Sequence, residues 1–119
     1  MPETIGRVFL RIEFAPGLRL GPGKIALLEA IAEEKSISGA ARKLGMSYRR
    51  AWLLVSNLNQ LMKDPAVVTV PGRHDKAATL TPSGEAMVAS WHRFIAKVES
   101  ASLAERMAIE ALLDVPPKI

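Results

Sequence analysis

The stretch Ser36-Ile37-Ser38-Gly39-Ala40-Ala41-Arg42-Lys43-Leu44-Gly45-Met46-Ser47-Tyr48-Arg49-Arg50-Ala51-Trp52 spaces its apolar residues as two short helices joined at a glycine. Ser36 or Ser38 can cap the first helix, whose apolar side is Ala40, Ala41 and Leu44. Gly45 stands where a helix stops in the left-handed conformation. Ser47 can cap the second helix, with a core stripe of Ala51, Val55 (or Leu54), Leu58 and Met62. From Lys35 to Lys63 the chain carries Lys35, Arg42, Lys43, Arg49, Arg50 and Lys63 but no Asp or Glu. The formal net charge is only +4, so positive charge is sorted into this window rather than spread evenly. A helix-turn-helix stripped of acids is the electrostatic footprint of a surface that meets phosphates.

Toward the N-terminus, Arg7 to Phe14 alternates, with Val8, Leu10, Ile12 and Phe14 on one face, which predicts a half-buried strand. Pro16-Gly17 supplies a turn, and Leu18-Arg19-Leu20 returns as a second strand. A helix follows from about Gly23 to Glu34, with Ile25, Leu28, Ile31 and Ala32 facing the core. Toward the C-terminus, Asp64-Pro65 ends the second helix of the motif. Val67 to Val70 and Ala77 to Thr81 then form a hairpin around an extended loop. Thr81-Pro82 opens the last helix, whose stripe is Met87, Val88, Trp91, Phe94, Ile95 and Val98. Its phase slips near Ser100 to Ser102, and Ser102 with Glu105 has the spacing of a capping box, so a kink or restart is expected there.

This order predicts a mainly α protein with small β elements, a winged helix-turn-helix with an N-terminal β-hairpin and a long C-terminal dimerisation helix. A single domain over residues 1–119 divides into a hairpin (5–20), a helix plus helix-turn-helix (23–62), a wing (66–81) and a C-terminal helix (82–113). At 49% hydrophobic and 24% charged residues the composition is that of a globular domain. The chain has no cysteine, no signal-peptide pattern and no run near the ~20 apolar residues of a membrane span, so a cytoplasmic location away from membranes is expected. His74 and His92 are too far apart in sequence to suggest zinc, and the carboxylates read as solvated helix faces. No phosphate loop or nucleophile elbow is present, and neither an enzyme nor a bound cofactor or metal is expected.

The Ser36–Trp52 run resembles the DNA-binding domain of the ModE family of molybdate-responsive regulators, and Asn57-Leu58-Asn59-Gln60-Leu61 and Leu80-Thr81-Pro82-Ser83-Gly84 extend the match. More loosely, Ala40-Ala41 through Ser47, and the Leu-Thr-x-x-Gly after the wing, are similar to the LysR-type helix-turn-helix. The resemblance runs from about Gly23 to Phe94. It implies binding of double-stranded DNA as a homodimer and a role in transcription regulation. ModE proteins that sense molybdate carry it in a separate C-terminal domain, for which 119 residues leave no room, so the signal is expected from elsewhere, such as a separate effector or sensor protein. The family's wing is Gly-rich, whereas Pro71-Gly72-Arg73-His74-Asp75-Lys76 is not.

Ser47, Tyr48, Arg49 and Arg50 begin the helix that enters the major groove in this architecture, so Arg49 or Arg50 is placed to read guanine. Arg42 and Lys43, on the preceding helix, are assigned to phosphates, and Arg73 and Lys76 to groove or backbone contacts from the wing tip. The plainer reading of Arg49, Arg50, Arg42 and Lys43 is a solvated cation, that of Tyr48 is packing against the preceding helix, and that of Arg73 and Lys76 is a mobile loop. Trp52 is expected to pack between helices, and Asn57, Asn59 and Gln60 to face solvent or a dimer partner. Met87, Trp91, Phe94, Ile95 and Val98, continued by Leu103, Met107, Leu112 and Leu113, exceed what one small core can cover, which points to a homodimer through this helix. The rival reading is a protein-protein interaction module that uses the long helix for docking. Binding of a small anion needs a convergent basic pocket, which the sequence does not locate.

Overall fold

The computed structural model describes residues 6–70 and 77–114. Its elements are β1 (Ile12–Ala15), β2 (Leu18–Leu20), α1 (Pro22–Glu34), α2 (Ile37–Leu44), α3 (Tyr48–Leu61), β3 (Val67–Val70), β4 (Ala77–Leu80), α4 (Pro82–Ala101) and α5 (Leu103–Ala111). The fold is a winged helix-turn-helix, mainly helical with two small hairpins.

β1 and β2 pair antiparallel, Ile12 opposite Leu20 and Glu13 opposite Arg19, around Gly17 at φ +81°. The first strand is shorter than its alternation predicts. β2 ends at Leu20 because Pro22 starts a helix, so residues 7–11 have no strand to pair with. A register shift between Glu13 and Ala15 breaks the alternation, and Phe14, expected on the inner face, is 63% exposed.

α1 is the central element. Ile25, Leu27, Leu28, Ala30 and Ile31 are buried, a wider face than the predicted stripe, while Ala32 is exposed. The breadth follows from its neighbours, since α2, α3, α4 and β4 all pack against it. Lys35 closes α1 in the left-handed region at φ 61°. Its carbonyl accepts from the Ala78 amide (2.9 Å), and Ser36 bridges Ala77, so the chain entering the helix-turn-helix also borders the wing.

The turn chemistry is local. Ser36 Oγ accepts from the Gly39 amide at 2.9 Å and caps α2, which leaves the Ser38 hydroxyl buried without a partner. Gly45 ends α2 at φ 69°, and Ser47 Oγ accepts from the Arg50 amide at 3.1 Å to start α3. Ala40, Ala41, Ala51, Val55 and Leu58 fill the junction, whereas Leu44 lies at the surface.

β3 and β4 pair in register from Val67–Leu80 to Val70–Ala77, and Thr81 Oγ1 caps α4 by accepting from the Gly84 amide at 3.0 Å. Asn59, expected to face solvent or a partner, instead clamps the entry to this hairpin. Its Oδ1 accepts from the Ala66 (2.8 Å) and Val67 (3.2 Å) amides, and its Nδ2 donates to the Val67 carbonyl (3.0 Å). Ala66 and Val67 are buried, so Asn59→Ala strands backbone groups away from water. A loss of about 2 kcal/mol in unfolding free energy is expected by urea titration.

The helix breaks at Ser102, but not through a capping box. Ser102 Oγ donates back to the Val98 carbonyl (2.6 Å) and accepts from Arg106 Nε (3.1 Å), while Arg106 also donates to the Glu99 carbonyl (2.6 Å). The Ser102 hydroxyl is turned back toward the preceding turn and the Arg106 side chain, so it caps no backbone amide of α5. Trp91 is buried against Leu20 and Ile25, joining α4 to the hairpin and α1. Among the described residues no helix is long and apolar enough to cross a membrane.

Candidate nucleic-acid interface

Successive residues of an α-helix are rotated by roughly 100°, so α3 sorts its side chains by their angle from buried Ala51. Arg49 and Leu53 fall on the far side from the core, at roughly 160° to either side. Arg50 falls on one flank with Leu54, and Tyr48 and Trp52 on the other. All except half-buried Leu54 are exposed, Trp52 at 47%. That corrects the expectation that Trp52 packs between helices. The inner stripe is already filled by Ala51, Val55 and Leu58, and position 52 lies a quarter-turn off it. Leu53, which the pattern did not single out, is 44% exposed.

The cations of the acid-free window do not all remain free. Lys43 Nζ pairs with Glu33 of α1, since the fold brings an acid from outside the window onto α2. Among the described residues no carboxylate pairs with Arg42, Arg49 or Arg50. Arg42 is exposed in the last turn of α2, and Ser47 is exposed beside the open N-terminus of α3, whose first turn has no acid. Arg73, His74 and Lys76 lie outside the described residues. Glu29, assigned to a solvated face, meets His92 of α4 at 2.7 Å.

The structure also contains the basic concavity that the sequence could not locate. Arg11 and Arg19 of the hairpin region, Lys24 of α1 and Arg50 of α3 border a cavity of about 290 Å³ with no acid in its lining. These positions are far apart in sequence and meet only when the hairpin folds over the start of α1. Among the described residues no group of three or more His, Asp or Glu is arranged to hold a metal.

A surface with an outward arginine, flanking aromatics and cations that have no carboxylate partner among the described residues can hold a polyanion and touch base edges. Comparison with known proteins gives the same direction. Residues 23–85 match the model of the bacterial regulatory helix-turn-helix proteins of the lysR family. The chain is 43% identical over 76 residues to the molybdenum-pterin-binding protein MopB of Rhodobacter capsulatus, covering 63% of this chain and 28% of that one. It is 37% identical over 94 residues to the molybdenum transport protein ModE of Azotobacter vinelandii, covering 76% and 35%. The chain thus spans about a third of the length of the curated relatives it matches. Among solved structures it is similar in fold to the DNA-binding domain of BenM in complex with benA site 1 DNA (TM-score 0.52, 21% identity, covering 72% of this chain and 93% of that one). ArgP of Mycobacterium tuberculosis is also similar (TM-score 0.50, 25% identity, covering 71% and 30%). The helix-turn-helix, its wing and the start of α4 all lie within the matched span, and the chain belongs to the lysR family of bacterial regulatory helix-turn-helix proteins.

Proposed function

We propose that this chain is a sequence-specific double-stranded DNA-binding transcriptional regulator of ModE type, acting in the cytoplasm by occupying an operator rather than by catalysis. The observation that carries the reading is α3, whose exposed N-terminal turn holds arginines with no carboxylate partner among the described residues, beside open backbone amides. Arg49 points straight out and is assigned to a base edge, while Arg50 on the flank is assigned to a phosphate. Ser47 and Tyr48 join them, Arg42 contacts backbone, and Lys43 does so less strongly because Glu33 competes for it. Arg73 and Lys76 are proposed as wing contacts. Trp52 and Leu53 add apolar surface suited to thymine methyl groups. Selection of bound sites from a random duplex pool at low salt tests the proposal, and enrichment of no motif would sink it.

The protein is proposed to bind as a homodimer through α4 and α5. Leu103, Met107, Ile109, Leu112 and Leu113 are 45–86% exposed, and α5 has no buried residue. Two-fold pairing would set the two α3 helices about one DNA turn apart on a near-palindromic site. Sedimentation at micromolar concentration is expected to give a dimer, and Met107→Asp to shift it toward monomer without lowering helical content.

A further inference from the structure

Of the cavity bordered by Arg11, Arg19, Lys24 and Arg50, the reading above uses Arg50 alone. Arg11 just ahead of β1, Arg19 on β2, Lys24 on α1 and Arg50 on α3 surround about 290 Å³, and among the described residues the lining contains no carboxylate. Among the described residues Arg19 is the one with an acidic partner, Glu13 at 3.3 Å, and Lys24 Nζ donates to the Arg19 carbonyl at 2.9 Å, which tethers that ammonium at the rim. No side chain caps the start of α1 and its first turn has no acid, so backbone there adds to the positive potential without competing for a ligand. Four like charges with a single counter-ion among the described residues, Glu13, repel one another, and the arrangement is relieved when an anion enters. Met46 and Leu54, packed against the core, give the cavity one apolar wall, which lowers the local dielectric and strengthens the field.

We infer that this cavity is a seat for a tetrahedral oxyanion of the phosphate class. Arg50 belongs both to the cavity and to the N-terminal turn of α3, so an anion seated there fixes Arg50 and joins the hairpin to the recognition helix. The anion has two possible sources, a DNA backbone phosphate beside the groove or a free inorganic ion. The first rests on the DNA-binding reading, and the second stands without it.

Arg11→Gln combined with Lys24→Gln separates these cases in the full chain. The Arg11 stem lies against Gly21, so the glutamine retains most of the packing and removes the charge. Arg11→Lys, which restores a cation, is the companion variant, and thermal melts establish that both fold. If the anion is a backbone phosphate, the double variant weakens random-sequence duplex binding about tenfold and lowers the log–log salt slope by about 1 per protomer, with Arg11→Lys recovering part of both. If it is a free ion, inorganic phosphate at constant ionic strength produces saturable amide shifts at Gly21, Gly23 and Lys24 that the double variant lacks. An unchanged salt slope together with no saturable shifts in the parent overturns the inference. A parent that binds no duplex at any salt removes the DNA-binding reading instead, and the phosphate titration still decides the cavity.

Discussion

Arg49→Ala with Arg50→Ala is expected to reduce affinity for the selected operator by about a thousandfold while leaving fold and dimer intact. The side chain directed at a base edge contributes roughly 1–3 kcal/mol per half-site, and both half-sites of a dimer lose it together, on top of lost phosphate contacts. Neither arginine supports the fold. Both side chains are exposed and without a carboxylate partner among the described residues, and the cap of α3 uses the backbone amide of Arg50, which alanine retains. The single variants differ in kind. Arg49→Ala should relax preference at one position of each half-site, whereas Arg50→Ala should weaken all sequences alike and lower the salt slope by about 1 per protomer. Titration of labelled operator and of scrambled duplex across a salt series reads both effects. A protein-docking module would show no operator to lose, and wild-type affinity in the double variant would rule α3 out as the reading element.

What could be read beforehand and what could not divide by the range of the interaction responsible. Gly45 ends α2, Ser47 starts α3 and Thr81 starts α4 through bonds spanning three or four residues, and such chemistry is visible in a linear pattern. Asn59 looked like a polar residue on the far half of a recognition helix because its partners, Ala66 and Val67, become reachable only after Asp64-Pro65 turns the chain. Lys43 looked free because Glu33 lies one helix earlier and meets it across the α1–α2 contact. Arg11, Arg19 and Lys24 fell outside the acid-free window, so the window understated the basic surface that folding creates around Arg50. The signal that could have exposed this was the hairpin itself, which must fold back over the start of α1 because Pro22 begins the helix so soon after Leu20.

Gly84→Ala is expected to be the most destabilising single substitution among those considered, by about 3 kcal/mol or more. The residue sits in the first turn of α4, where the helix rests on the chain entering the wing. A Cβ at this position would fall far inside contact distance of the Ala66 carbonyl oxygen and 3.1 Å from its carbon. The obstacle is backbone, so no rotamer change relieves it. Nor can Ala66 retreat easily, since it is fully buried, its amide is held by Asn59, and its carbonyl accepts from the Thr81 amide at 2.9 Å. Thr81 Oγ1 also donates to the Pro65 carbonyl at 2.6 Å, so pushing α4 away breaks the helix cap and the wing entry together. This gives a physical reason for the glycine in Leu80-Thr81-Pro82-Ser83-Gly84, where glycine serves by having no side chain rather than by reaching an unusual φ. Urea unfolding of Gly84→Ala, Asn59→Ala and the double variant tests the coupling. Both substitutions act on the same Ala66 peptide, so the double variant should lose less than the sum of the singles by more than about 0.5 kcal/mol. Strict additivity would mean that the clamp and the close approach hold different parts of the wing, and an unchanged midpoint for Gly84→Ala would mean that α4 does not rest on Ala66 at all.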